Sequence, residues 1–120
     1  MNVTVIYKIL KRSEWLAAQA SGQFVGSEVD NRDGYIHFST AEQAQETAHK
    51  HFKGQSDLVV LAVDDGKIDS HLKWEPSRGG ALFPHLYEPL KIGYVTAVFE
   101  APLDSQGVPM LAFLEPEKGE

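Results

Sequence analysis

Residues 57–64, DLVVLAVD, decide how the chain is built. Six apolar residues in a row, half of them β-branched and bounded by aspartates, leave no polar face, which is the pattern of a strand buried on both sides. Such a strand belongs at the centre of a sheet, and its neighbours can be sought on either side of it in the sequence. Upstream, VTVIYKIL (3–10) alternates loosely and is rich in β-branched residues, with Lys8 as its one charge. Downstream, GYVTAVFE (93–100) has the same character, and Ser105, Gln106 and Gly107 turn the chain toward a last strand at 110–114.

Two helices are expected between these strands. Ser13 offers an N-cap, Glu14 suits the first turn, and Trp15, Leu16 and Ala20 form a short apolar stripe before Gly22. Ser39 or Thr40, with Glu42 or Gln43 three residues on, makes a capping box for a second helix striped by Ala41, Ala44, Ala48 and Phe52 and stopped at Gly54. Residues 23–33 read as a polar, glycine-marked connection ending in the turn signal NRDG (31–34). After it, YIHF (35–38) is a short strand with Ile36 and Phe38 on one face and Tyr35 and His37 on the other. Two main helices among five or six strands, without regular βαβ alternation, predict an α+β fold: one domain over 1–120, with a bent, mainly antiparallel, split sheet.

With no cysteine in the 120 residues, disulfides, a thiolate nucleophile and a zinc–cysteine site are excluded. The net charge of −6 works against nucleic acid or anionic membrane as a partner. Lys8, Lys11 and Arg12 form a local basic cluster, read as a solvated end of the first strand. No apolar run is long enough to span a bilayer, and the N-terminus has neither a long apolar segment nor a small-residue cleavage site, so a cytoplasmic protein is expected. His49 and His51 are two apart on a helix and do not share a face, so no metal is expected. No HExxH, GxSxG, P-loop or dinucleotide glycine fingerprint is present.

The chemistry concentrates in LKWEPSRGGALFPHLYEPL (72–90). Pro76, Pro84 and Pro89 remove donors, and Gly79 and Gly80 admit positive φ and close approach, so the stretch reads as a shaped loop. Arg78 could clamp a phosphate or pair with Glu75; Trp74, Phe83 and Tyr87 could stack on a ring or belong to the core. His37, just before a helix N-terminus with two hydroxyls, suits an anion or a ribose; a histidine bonded to a backbone carbonyl is the other reading.

DGYIHFSTAEQ (33–43), DLVVLAVD and LKWEPSRGGALFPHLYEPL together resemble the bacterial domain-of-unknown-function 952 family over nearly the whole chain. The resemblance implies a fold similar to the ADP-ribosyltransferase superfamily, a split, bent β-structure around an NAD-binding cleft. IYKI (6–9) looks like that superfamily's first strand, with Lys8, Ile9 and Leu10 in the place of its histidine or arginine, glycine and hydroxyl residue, and YIHFS looks like its second motif, which carries over to His37 and Ser39. The late glutamate has no confident match; Glu88 and Glu100 are the nearest acids. The residue reading and the resemblance together predict His37 and Arg78 as the central pair, with Ser39, Thr40, Gly79, Gly80, His85 and Tyr87 around a small-molecule ligand; the resemblance implies NAD as the cofactor. Two classes of function stay open: an enzyme of the ADP-ribosyl-transfer type, and a non-catalytic module binding NAD or another small anionic metabolite.

Overall fold

The computed structural model describes residues 4–77, 80–111 and 114. Strand β1 (Val5–Lys11) runs into helix α1 (Arg12–Ser21), followed by β2 (Gln23–Phe24), a short helix α2 (Glu28–Asp33), β3 (Ile36–His37) and helix α3 (Ala41–His51). The second half is β-rich: β4 (Leu58–Asp64), β5 (Leu72–Pro76), β6 (Leu82–Leu86), β7 (Leu90–Lys91) and β8 (Val95–Glu100). The strands form antiparallel sheets ordered β1-β4-β8, β2-β7 and β3-β6-β5. This is the α+β, antiparallel, split arrangement that the sequence predicts.

The run at 57–64 does what its composition requires. β4 lies between β1 and β8, and its two side-chain rows enter different cores. Val59, Leu61 and Val63 pack with Trp15 and Ala18 of α1, with Ile36 and Leu86 of the β3-β6-β5 sheet and with Phe38 just after β3. Leu58, Val60 and Ala62 pack with Ala44 and Ala48 of α3. The small alanine stripe of α3 is therefore buried as expected, whereas on α1 the buried pair is Trp15 and Ala18, and Leu16 and Ala20 face solvent.

Three expectations need correction. Residues 28–33, read as part of a loop, form α2, because Asp30 at the third helical position accepts from the backbone N–H and the hydroxyl of Ser27 and so caps the first turn from within. The stretch from 72 is not a loop throughout: β5 and β6 form a hairpin in register from Leu72↔Leu86 to Pro76↔Leu82. Pro84 fits inside it because its ring nitrogen faces the side on which β3 ends; its carbonyl there accepts from Phe38, and only the donor of that pair is lost. Finally, no strand forms at Met110 and Leu111, where the amides bond the Pro102 carbonyl and the Gln45 side chain and Leu103↔Pro109 is an isolated bridge; residues 112 and 113 lie outside the described residues.

Candidate functional site

Alternation divides the β3-β6-β5 sheet into two unlike faces. Leu72, Leu86, Ile36 and Phe38 turn to the core, and Trp74, in the same row, reaches the surface beside them. The opposite row carries Lys73, Glu75, Phe83, His85 and Tyr87 from the hairpin and Tyr35 and His37 from the chain around β3. Trp74 and Tyr87, both candidates for stacking on a ligand, thus lie on opposite faces.

On the chemical face His37 and His85 are register partners with ring centroids 5.6 Å apart, edge to face. Tyr35 stacks on His85 at 4.0 Å and touches His37 at 4.6 Å and Tyr87 at 5.3 Å. Each imidazole is held at Nδ1 by a carboxylate: His37 by Asp30 Oδ1 at 2.6 Å, His85 by Glu75 Oε1 at 2.7 Å. Glu75 Oε1 also accepts from the Tyr87 hydroxyl at 2.7 Å. That bond stabilises the neutral phenol, with desolvation adding to it, and pushes the Tyr87 pKa up to about 12. The two donors hold the Glu75 carboxyl below its ordinary value, His85 contributing most.

Behind His37 lies a buried ion pair. Lys8 of β1 places Nζ 2.9 and 2.8 Å from the two oxygens of Asp30, and both residues are almost fully buried. Burial pushes the Lys8 pKa down against the pull of Asp30. Burial also pushes the Asp30 carboxyl up, but the bond from His37 and the charge of Lys8 outweigh it and hold the group well below the usual carboxylate range. Lys8 is therefore not part of a solvated strand end; it is in phase with Ile6 and Leu10, which face the core, while Lys11 is exposed and Arg12 pairs with Asp57 and Glu100. The outer nitrogen of His37, Nε2, meets Asp33 Oδ2 at 2.9 Å.

The junction between sheets brings these groups together. Tyr7 and Ser39 exchange backbone hydrogen bonds at 2.7 and 2.9 Å, tying β1 to the end of β3. The Ser39 hydroxyl, buried, bonds Thr47 at 2.9 Å. Thr40 is the N-cap of α3: its hydroxyl accepts from Gln43 N–H and its own N–H donates to the Gln43 side chain, so the helix-terminal donors expected to face an anion are in part already used. A cavity of about 590 Å³ opens here, lined among others by Lys8, Asp30, Asp33, Tyr35, His37 and His85. Ser39, Phe83 and Ser77 also reach it.

Of the residues the sequence singles out, His37, Ser39 and His85 meet at one cavity, with Tyr87 beside Glu75 at the edge of the same sheet face. Gly80 has φ +83, the left-handed conformation expected of that glycine pair, and its N–H bonds the Ser77 carbonyl. Arg78 and Gly79 lie outside the described residues, and with them the facing of Arg78 and His37. Glu100 bonds Arg12 and Glu88 pairs with His71 at 3.1 Å, so neither joins the His37–His85 pair. The carboxylates that do join it, Asp30, Asp33 and Glu75, were missed; the one local signal was the Ser27-x-x-Asp30 capping spacing. Among the described residues no group of three or more His, Asp or Glu side chains could hold a metal ion, and no helix is long and apolar enough to cross a membrane.

Solved structures of protein CC0527 from Caulobacter crescentus are similar throughout. Its crystal structure is 58% identical, with a TM-score of 0.88 over 90% of this chain and 95% of that one. A double-mutant crystal form is 57% identical with the same score and coverage. The solution NMR structure gives a TM-score of 0.81 at 58% identity, over 89% of this chain and 92% of that one. No curated protein matches. Residues 9–98 match the family described as protein of unknown function (DUF952), and the chain belongs to that family.

Proposed function

We propose that the cavity beside His37 and His85 binds NAD or a related phosphorylated ribosyl ligand. The observation that carries this reading is the pairing of two imidazoles, each oriented by its own carboxylate, with an aromatic wall on one sheet face. A histidine fixed at Nδ1 presents Nε2 in a set direction, the arrangement used to donate to or accept from a substrate oxygen. Tyr35, Phe83 and Tyr87 offer ring surface for a base or a sugar, and the cavity volume falls within the ordinary range for small-molecule sites. Buried ionisable groups of this density are costly to a fold and cluster at functional sites.

The resemblance to ADP-ribosyltransferases supports the ligand class. The match lies in the second motif, at His37 and Ser39, while Lys8, Ile9 and Leu10 take the place of the first-strand histidine or arginine with its glycine and hydroxyl residue. For the acidic residue which that chemistry employs, Glu75 is the best placed carboxylate, since it shares the sheet face and bonds His85 directly. Glycosyl transfer from NAD releases nicotinamide, whereas a binding module leaves the ligand intact.

Calorimetric titration with NAD, ADP-ribose and AMP tests the binding, and chromatography of the NAD mixture tests the chemistry. NAD or ADP-ribose is expected to bind, and His37→Ala to weaken binding by about 1.5–3 kcal/mol, the range for a hydrogen bond to a charged group. Absence of binding by all three at millimolar concentration refutes the ligand class. Binding without nicotinamide release assigns a non-catalytic role.

A further inference from the structure

The outer edge of His37 is already occupied. Nδ1 faces Asp30 at 2.6 Å and Nε2 faces Asp33 at 2.9 Å, and an ionised carboxylate only accepts. Both ring nitrogens of His37 thus face carboxylate acceptors, and the ring joins Lys8, Asp30 and Asp33 in one four-residue cluster.

The two carboxylates are not equivalent. Asp30 is 2% exposed and accepts from Lys8, from Ser27 N–H and hydroxyl, and from the His37 backbone N–H as well as its ring. It cannot leave without stranding a buried lysine. Asp33 has a side chain 30% exposed, and its other bond is to Arg32 Nε at 3.1 Å, on a guanidinium that is itself 71% exposed. It is the last residue of α2, immediately before Gly34 at φ +91, and it lines the cavity. Withdrawing Asp33 into solvent costs little and leaves His37 Nε2 open to the cavity, with Asp30 still held by Lys8 behind it.

We propose that Asp33 is an internal stand-in for the ligand: an anionic oxygen of a phosphate or pyrophosphate replaces its carboxylate on His37 Nε2. The site binds by exchange, and Asp33 sets its affinity and its preference for anions. The other groups facing His37 fit this role. Tyr35 and His85 pack on the ring without competing for Nε2, and Glu75 is engaged with His85 and Tyr87. The inference rests on the proposed site but not on NAD being its ligand.

The test follows the His37 ring nitrogens by NMR in histidine-labelled full-length protein during titration with inorganic pyrophosphate. Asp33→Ala is compared with wild type and with Asp69→Ala, which removes the same charge from an exposed turn that does not line the cavity; Asp33→Ser is the second variant should truncation loosen the helix. Asp33→Ala or Asp33→Ser is expected to bind pyrophosphate at least about tenfold more tightly than either comparator, with the response on His37 Nε2. Equal affinity in the Asp33 and Asp69 variants, or a His37 signal that stays still, overturns the proposal. A parallel NAD titration separates the two readings. NAD binding equally to wild type and to the Asp33 variants keeps the NAD reading and discards the exchange, while tightened pyrophosphate binding without any NAD binding does the reverse.

Discussion

Asp30 is where stability and site meet in one side chain. It neutralises Lys8, orients His37 and caps α2. Removing one partner of a buried ion pair leaves an uncompensated charge, so Asp30→Asn should lower the unfolding free energy by about 3–5 kcal/mol in urea titrations. The pH dependence has a definite sign. The folded carboxyl is held below its ordinary value, so its contribution is complete above the unfolded pKa near 3.9 and is lost as pH falls through the folded value. Wild-type stability should therefore drop below about pH 4 more steeply than that of Asp30→Asn. Tyr87 gives an independent optical check, because its phenol is pushed up to about 12 by the bond to Glu75. In Glu75→Gln the contribution of Tyr87 to the late phenolate absorbance should move down toward the usual value of about 10, and in Tyr87→Phe the late absorbance should fall by that contribution.

Two short elements place those residues. Helix α2 exists to the extent that Asp30 caps it, and it stops because Gly34 turns the chain at φ +91, back toward β3. A Cβ at Gly34 meets nothing within 4 Å, so Gly34→Ala tests conformation without clash and should cost roughly 1 kcal/mol in thermal melts. Helix α3 is anchored by reciprocal bonds between Thr40 and Gln43, and the Gln43 amide also donates to the Leu82 carbonyl at 2.7 Å, joining the helix to β6. Thr40→Ala should cost about 1 kcal/mol of stability, as for other N-cap losses, and should leave the Ser39–Thr47 contact in place. Protection of α3 amides from hydrogen exchange reports the effect where it arises.

The whole molecule depends on β4, whose side chains divide two cores. Leu61 is fully buried in the one that also backs the β3-β6-β5 sheet. Leu61→Ala should cost about 2–5 kcal/mol, the range for truncating a buried leucine. Val98, on edge strand β8 and 43% exposed, should respond to alanine by no more than about 0.5 kcal/mol. Because the core formed with Leu61 carries Ile36, Phe38 and Leu86 on the reverse of the chemical face, its truncation should also weaken the binding proposed beside His37.

The sequence by itself determined the central strand, the capped alanine-striped helix, the α+β class and the two faces of the Tyr35–Phe38 segment. These rest on local periodicity and on capping contacts three or four residues apart, which a linear reading can see. The family resemblance brought His37 and Ser39 forward, and the composition of residues 72–90 brought His85 and Tyr87, without any structure. What the tertiary structure alone decided is who pairs with whom. Lys8 and Asp30 are 22 residues apart, and Glu75 reaches His85 because the hairpin register sets both on one face. A charged residue in a strand looks solvated until the elements covering it are known, and α2, which supplies the partner of Lys8, is a six-residue helix whose signal is one capping spacing. The burial of Lys8 and the carboxylates of the site follow from packing between distant segments, where the cost of an unpaired buried charge selects the partner.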